Sequence, residues 1–307
     1  MIPTIAVVGS ANTDFVLQVP ELPAKGQTVL GDRFTIVRGG KGANQAVAAA
    51  RLGAQVTFIA RLGADAFGNE ALDAYQQEGI RTDFVIQDPD THSGVALILV
   101  NPNGENTVSV GPGANSRLTA GDVYAASAAI READCLLVQL EIPVEAVLAA
   151  LEIAHRHHVR TILNPAPART LPAEILKLVD TLTPNETEAA ILAHQDASAV
   201  QTDSLPHLAS ILGIPNLVVT LGSKGAYILQ SGTTSFIPPF PITPVDTTAA
   251  GDAFNGALAV ALARDESLPQ AVRYACAAGA MTATRLGAQP SLPGREELDR
   301  FIAASAP

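Results

Sequence analysis

The chain has 307 residues, 48% of them hydrophobic and 16% charged, enough to bury a sizeable aliphatic core and with no long stretch that reads as disordered. Its net charge of −11 gives no electrostatic footprint for nucleic acid, and no apolar run reaches the roughly 18 residues that a membrane span needs. The first residues, MIPTIAVVGS, lack the basic and long apolar regions of a signal peptide, and Cys135 and Cys276 have neither CxxC nor metal-ligand spacing, so a cytoplasmic protein with buried thiols is expected.

Short apolar runs alternate with longer helical patterns, which predicts an α/β fold: three layers, α/β/α, around a mostly parallel central sheet. Thr4 to Gly9 reads as a strand, Lys41 to Leu52 as an Ala-rich helix and Gln55 to Ala60 as a strand. Phe67 to Glu78 reads as a helix stopped by Gly79. Ala133 to Leu140 is predicted as a strand, Val144 to His157 as an amphipathic helix, and Thr161 to Leu163, Thr181 to Leu182 and Leu217 to Thr220 as short buried strands. Helices are predicted near Ala249 to Ala263, Leu268 to Arg285 and Arg295 to Ala304.

Two stretches break this rhythm. Apolar residues alternate at Phe15, Leu17 and Val19 within residues 14–37, and in 94–110 two β-rich runs flank Asn103-Gly104, a strong hairpin signal. Both are read as a small antiparallel sheet projecting from the core. Its exposed face must cover something: a ligand, a partner subunit, or both.

Five segments carry candidate chemistry. In the first, Val245 to Gly256, small residues open a helix whose free amides make an anion site. Asp252 there either stabilises the helix dipole or takes a proton from a hydroxyl while the amides hold a phosphoryl group. The second, Arg38 to Asn44, lacks the spacing GxxxxGK[ST] of a P-loop; it is a tight turn or a cradle for sugar hydroxyls, with Asn44 as the polar arm. In the third, Asn12 and Asp14 follow the first strand, where open α/β sheets bind ligands, and they suit a polyol as well as an Asx turn. In the fourth, Asn185 and Glu188 stand three apart at a helix start, as an N-cap with an acidic first turn or as a place for water or Mg2+ near a nucleotide. The fifth, Thr220 to Gly225, is a glycine-rich turn that could pass under a nucleotide.

In order and spacing these segments resemble the ribokinase family of carbohydrate and nucleoside kinases, over essentially the whole chain. The signatures at Gly39-Gly40-Lys41-Gly42-Ala43-Asn44 and at Asp246 to Gly256 carry the resemblance, joined by Asn164-Pro165-Ala166-Pro167-Ala168, Gln139-Leu140-Glu141 and Gly287-Ala288-Gln289-Pro290-Ser291. The resemblance implies one α/β unit over residues 1–307 that phosphorylates D-ribose on its 5-hydroxyl with ATP. Asp252 would be the general base, and the amides of Ala249, Ala250 and Gly251 the anion hole. Asn12, Asp14, Gly40, Lys41, Asn44 and Glu141 would hold the sugar together with Asp252. Asn185, Thr220, Gly222, Gly225 and Gly251 would line the ATP site, with Cys276 near the adenine, where the family often carries His or Asn. Glu188 would organise Mg2+ through water. Asp246, Thr248, Thr282, Arg285, Gly287 and Ser291 would surround an activating K+, mostly through backbone carbonyls. The projecting sheet would be a lid over the sugar and the interface of a homodimer.

Other readings compete. Fructose, deoxyribose or adenosine could replace ribose, although the lid offers a nucleoside base few aromatics besides Phe15 and Phe34. A sugar-binding protein without catalysis has no need of Asp252 in its anion hole. A dinucleotide-dependent dehydrogenase would show GxGxxG after the first strand, and none follows Thr4 to Gly9.

Overall fold

The computed structural model describes residues 2–194 and 204–305. Its strands are β1 (Thr4–Val8), β2 (Asn12–Gln18), β3 (Phe34–Gly39), β4 (Gln55–Gly63), β5 (Arg81–Asp88), β6 (Gly94–Val100), β7 (Asn106–Gly111), β8 (Cys135–Val138), β9 (Arg160–Leu163), β10 (Thr181–Leu182), β11 (Asn216–Thr220), β12 (Ala226–Gln230) and β13 (Thr233–Ile237). The helices are α1 (Lys41–Arg51), α2 (Ala66–Gln77), α3 (Ala120–Ala125), α4 (Ser127–Arg131), α5 (Val144–Arg156), α6 (Ala173–Leu176), α7 (Glu186–Leu192), α8 (Leu205–Leu212), α9 (Ala250–Ala263), α10 (Leu268–Thr282) and α11 (Arg295–Ala304).

The central sheet runs in the order β13-β12-β11-β10-β9-β8-β1-β4-β5. From β11 to β5 its strands are parallel, and β12 and β13 extend one edge as antiparallel additions. Both faces are covered, which is why the strands read as unbroken apolar runs rather than as alternation. Along β1, Ile5 and Val7 enter a core with α1, α2, α9 and α10, while Ala6 and Val8 enter a second core with α3 to α8. Because β1 has β8 on one side and β4 on the other, the chain reverses its winding there, and such a switch point opens a crevice at the carboxyl ends of the strands.

Helices α1 and α9 lie side by side in the same direction. Asn44 and Gln45 meet Asp252, a Cβ at Gly256 would lie 2.7 Å from that of Ala48, and Arg264 donates to the Leu52 carbonyl at 2.9 Å. Alanine and glycine on both helices permit this close approach. Two positive helix ends are thereby aimed at one place beside the end of β1.

The second sheet has the order β3-β2-β6-β7. Each excursion is an antiparallel pair, as the hairpin signals predict, and Gly104 takes a left-handed φ of 81° in the β6–β7 turn. The two pairs join through β2 and β6, which run parallel. Both strands leave the main sheet at its carboxyl edge, so a junction between them is parallel and the sheet is mixed, which hairpin signals alone do not reveal. Register places Phe15, Leu17, Phe34, Ile36 and Leu97 on one face and Asn12, Asp14, Ala96, Ile98, Val108 and Val110 on the other.

Candidate active site

Helix α1 begins without a side-chain cap of its own, because Gly40 is its N-cap residue. Its first-turn amides are served from elsewhere in the chain. The Lys41 amide donates to Glu141 Oε2 at 3.0 Å, the Gly42 amide to Ser10 Oγ at 3.3 Å, and Ser10 Oγ donates in turn to Glu141 Oε2 at 2.6 Å. A carboxylate at a helix N-terminus is favoured by the dipole. The glycines make the approach possible. Gly40 has φ of 86° and lies against the backbone of Ala11 and Asn12, and a Cβ on Gly42 would come within 2.5 Å of the Ser10 nitrogen. The motif that the sequence shows as a tight turn is therefore a seat that presses α1 onto the end of β1.

Asp252 lies in the first turn of α9 and is buried. Its Oδ2 accepts from Asn44 Nδ2 at 2.8 Å and its Oδ1 from Gln45 Nε2 at 3.0 Å. Burial raises its pKa above the usual carboxylate range, against the pull of Lys41 and the two amides. Lys41 is half-buried beside Asp252. Burial alone would lower its pKa, but the charges of Asp252, Glu141, Glu188 and Asp14 outweigh it and hold the group protonated. Asp14 is pushed up to about 7, by burial first and then by Glu141 and Asp252, with Lys41 opposing. Asn12 is oriented by a residue from another segment: Asn115 accepts from the Ala11 amide at 2.9 Å and donates to Asn12 Oδ1 at 2.7 Å. The Nδ2 of Asn12 is left as the end that can serve a ligand. The predicted sugar residues Asn12, Asp14, Gly40, Lys41, Asn44, Glu141 and Asp252 are thus one cluster, built from β2, α1, the turn after β8, and α9.

Ahead of α9, Ala249 takes a left-handed φ of 61°. The Ala250 amide donates to the Thr247 carbonyl at 3.2 Å, and the ladder of α9 starts with Ala253 donating to Ala249 at 2.8 Å. The Gly251 and Asp252 amides lie before that ladder, and the backbone at Gly251 faces open space.

Asn185 and Thr220 pair as an isolated bridge at the carboxyl ends of β10 and β11, beside the Gly222–Lys224 turn and Gly225. Asn185 and Glu188 form a capping box, with bonds of 2.8 and 2.9 Å. Burial raises the Glu188 pKa, although Asn185 and Lys41 work against it, so this carboxyl faces the same charged cluster. Its oxygen chemistry and neighbouring backbone fit a Mg2+ held through water. Cys276 lies half-buried on α10, where burial pushes its thiol up to about 12. Among the described residues it makes no hydrogen bond to the other predicted ATP residues.

Asp246 knits two loops together. Its Oδ1 accepts from the Thr248 amide and hydroxyl at 2.9 and 2.6 Å, and its Oδ2 from the Gly287 amide at 2.8 Å. Burial alone would raise this carboxyl, but those hydrogen bonds hold it below the usual range. The Ala283 carbonyl accepts from the Val245 and Asp246 amides, the Arg285 amide donates to Thr282, and the Ser291 hydroxyl donates to the Ala288 carbonyl at 2.7 Å. Asp246, Thr248, Thr282, Arg285, Gly287 and Ser291 therefore share two adjoining loops, and their hard oxygens fit a monovalent cation. The Arg285 side chain itself is turned to Glu297.

A groove of about 530 Å³ lies at the opposite edge of the sheet, lined by Asp134, Arg160, Asp180, Asn216 and Asp265 among others. It gathers the amino ends of the strands, where open α/β sheets do not bind their ligands, and it contains none of the residues above. Gln45, Asn115, Thr183 and Asn255 are buried polar residues that no motif marks as site residues. Gln45 and Asn255 precede or follow apolar residues within their helices, a signal that could have found them, whereas Asn115 and Thr183 stand in polar stretches and give none.

The family model described as pfkB family carbohydrate kinase matches residues 3–295. The chain is 43% identical over 303 residues to ribokinase from Haemophilus influenzae, covering 97% of this chain and 98% of that protein. It superposes on ribokinase from Thermotoga maritima with a TM-score of 0.87 at 37% identity, covering 98% of this chain and 100% of that one. Ribokinase from Arabidopsis thaliana, complexed with ribose and ATP, matches with a TM-score of 0.89 at 30% identity over 98% of this chain and 99% of that one.

Proposed function

The chain belongs to the pfkB family of carbohydrate kinases, and we propose that within it the reaction is transfer of the γ-phosphoryl group of ATP to the 5-hydroxyl of D-ribose, giving ribose 5-phosphate. The observation that carries this reading is the Asp252 carboxylate, gripped by Asn44 and Gln45 at the start of α9, in a chain alike to ribokinases over its whole length.

Ribose lies between the Asn12 and Asp14 face of the lid and the start of α1. The carboxylates of Asp14 and Glu141 accept from its hydroxyls, and Asn12 and Asn44 supply amide groups. Asp252 takes the proton of the 5-hydroxyl as that oxygen attacks the γ-phosphorus and the bond to the β-phosphate oxygen breaks. Burial raises its pKa, which strengthens it as a proton acceptor. The amides of Ala249 and Gly251, with the dipole of α9 and the Lys41 charge, offset the negative charge of the group in transit, and the Ala250 amide joins them only by leaving the Thr247 carbonyl that it serves in the ligand-free chain. Asn185, Thr220, Gly222, Gly225 and Gly251 line the ATP site, with Cys276 on its adenine side. Glu188 would hold Mg2+ through water, and that ion would supply neutralisation of phosphate charge. Asp246, Thr248, Thr282, Arg285, Gly287 and Ser291 would hold K+, mostly through backbone carbonyls, and that ion would supply order to the anion-hole loop.

The lid face opposite Asn12 and Asp14 exposes Phe34, Ile36 and Leu97 by 50% or more, which supports its burial in a homodimer. Among the described residues no helix is long and apolar enough to cross a membrane, and the free thiols Cys135 and Cys276 support a cytoplasmic site.

The test is ATP consumption with Mg2+ and K+ against ribose, fructose, deoxyribose and adenosine, repeated with Na+ in place of K+. Preference for ribose with K+ activation is expected. Preference for another substrate moves the assignment within the family, and no turnover with any of them overturns it.

A further inference from the structure

Beneath the base runs a chain of buried polar side chains that the mechanism above does not use, and we infer that it fixes the base and the anion hole relative to each other, with Gln45 as its central positioning residue. This rests on the reading of Asp252 as the base.

Gln45 is fully buried in α1. Its Nε2 donates to Asp252 Oδ1 at 3.0 Å and to Asn164 Oδ1 at 3.1 Å, while its Oε1 accepts from Gln139 Nε2 at 2.6 Å. Both hydrogens of the amide are used and its oxygen is occupied, so a flipped amide would set oxygen against oxygen at Asp252. Asn44 ties the second carboxylate oxygen. Each oxygen of Asp252 keeps a further lone pair for a substrate hydroxyl, in a direction set by these two amides.

The chain continues away from the base. Asn164 Nδ2 donates to the Thr183 carbonyl at 3.1 Å, Thr183 Oγ1 donates to Asn255 Oδ1 at 2.6 Å, and Asn255 Nδ2 donates to the Gly251 carbonyl at 2.8 Å. That carbonyl belongs to the peptide between Gly251 and Asp252, so holding it fixes the plane of the backbone beside the anion hole. The path starts on the carboxylate of Asp252 and returns to the peptide that bears it. Every member is buried, so each bond forms in a setting where a missing partner is costly.

The test is the pH dependence of kcat at saturating ribose and ATP for Gln45→Met, Gln45→Glu and Asn255→Leu, with folding followed by circular dichroism and thermal melting. The charged groups facing Asp252 are Lys41, Glu141, Asp14 and Glu188, and the substitutions leave all four in place. Gln45→Met keeps the volume but removes a hydrogen bond to the ionised base. At neutral pH kcat should fall by roughly 10- to 100-fold. The acidic limb should move to higher pH, because the base works ionised and its ionised form has lost a donor. Gln45→Glu still accepts from Gln139 but sets a second carboxylate against Asp252, and should move that limb the same way. Asn255→Leu should lower kcat with the limb unmoved, since it acts on the hole and not on the base.

If the parent phosphorylates ribose and folded Gln45 variants keep its acidic limb, with or without a loss of kcat, the inference is overturned while the function stands. If Gln45→Met does not fold, Gln45→Glu decides. A parent that leaves ribose untouched overturns the proposed function instead.

Discussion

Asp14 sets binding against stability, and Asp14→Asn separates the two. The carboxyl is buried with Glu141 and Asp252 nearby, and its pKa is raised from 3.8 to about 7. The fold therefore prefers the protonated acid. The stability it lends is full below the unfolded value and is lost as pH rises through the folded one. A gap of about three units at ~1.4 kcal/mol each means that ionised Asp14 destabilises the ligand-free protein by about 4 kcal/mol once the pH exceeds the folded value. The substituted amide keeps the shape and carries no charge. In denaturant melts without ribose, the variant should gain most of that amount at about pH 8 and almost nothing near pH 4. Its KM for ribose should rise by roughly 10- to 100-fold, because a charged acceptor for hydroxyls is gone. A variant no more stable than the parent at the higher pH, or equally favoured at both, would refute the reasoning.

Asn115→Asp should act on the sugar site from outside it. An aspartate still accepts from the Ala11 amide but does not donate to Asn12 Oδ1, so the Asn12 amide turns over and offers the wrong end. Steady-state kinetics should show KM for ribose up by about tenfold with kcat little changed. Gly42→Ala places a methyl within 2.5 Å of the Ser10 backbone, which forces α1 off its seat. Loss of about 1–3 kcal/mol in a denaturant melt is expected, with loss of ribose binding by calorimetry. Asp246→Ala removes the acceptor of three hydrogen bonds that join the two loops, so activation by K+ should need a higher K+ concentration in a titration of the rate.

The parts of the site made by small residues were legible in the sequence. Gly39 to Gly42 and Ala249 to Gly251 stand out as clusters of small residues at helix starts: a Cβ on Gly40 or Gly42 would strike the backbone of Ala11, Asn12 or Ser10, while Gly251 opens onto free space. Asp252 stands out because it is an acid among them. The buried strands β1, β8 and β9 were legible as apolar runs. By contrast β5 and β13 are edge strands whose residues are mostly half-exposed or exposed, so neither stands out as a buried apolar run. The parallel junction of β2 with β6 depends on where the two strands leave the main sheet, which no local pattern encodes. Gln45, Gln139, Asn164, Thr183 and Asn255 sit far apart in the chain, and only the fold brings them into line beneath Asp252.

The central claim is that Asp252 is the base for phosphorylation of ribose, and Asp252→Asn tests it most directly. The variant keeps the shape of the side chain and loses the charge. Ribose binding by calorimetry should survive in measurable form while kcat with ribose, ATP, Mg2+ and K+ falls by roughly 100- to 10,000-fold. Turnover close to that of the parent, by a variant that binds ribose, would contradict the account.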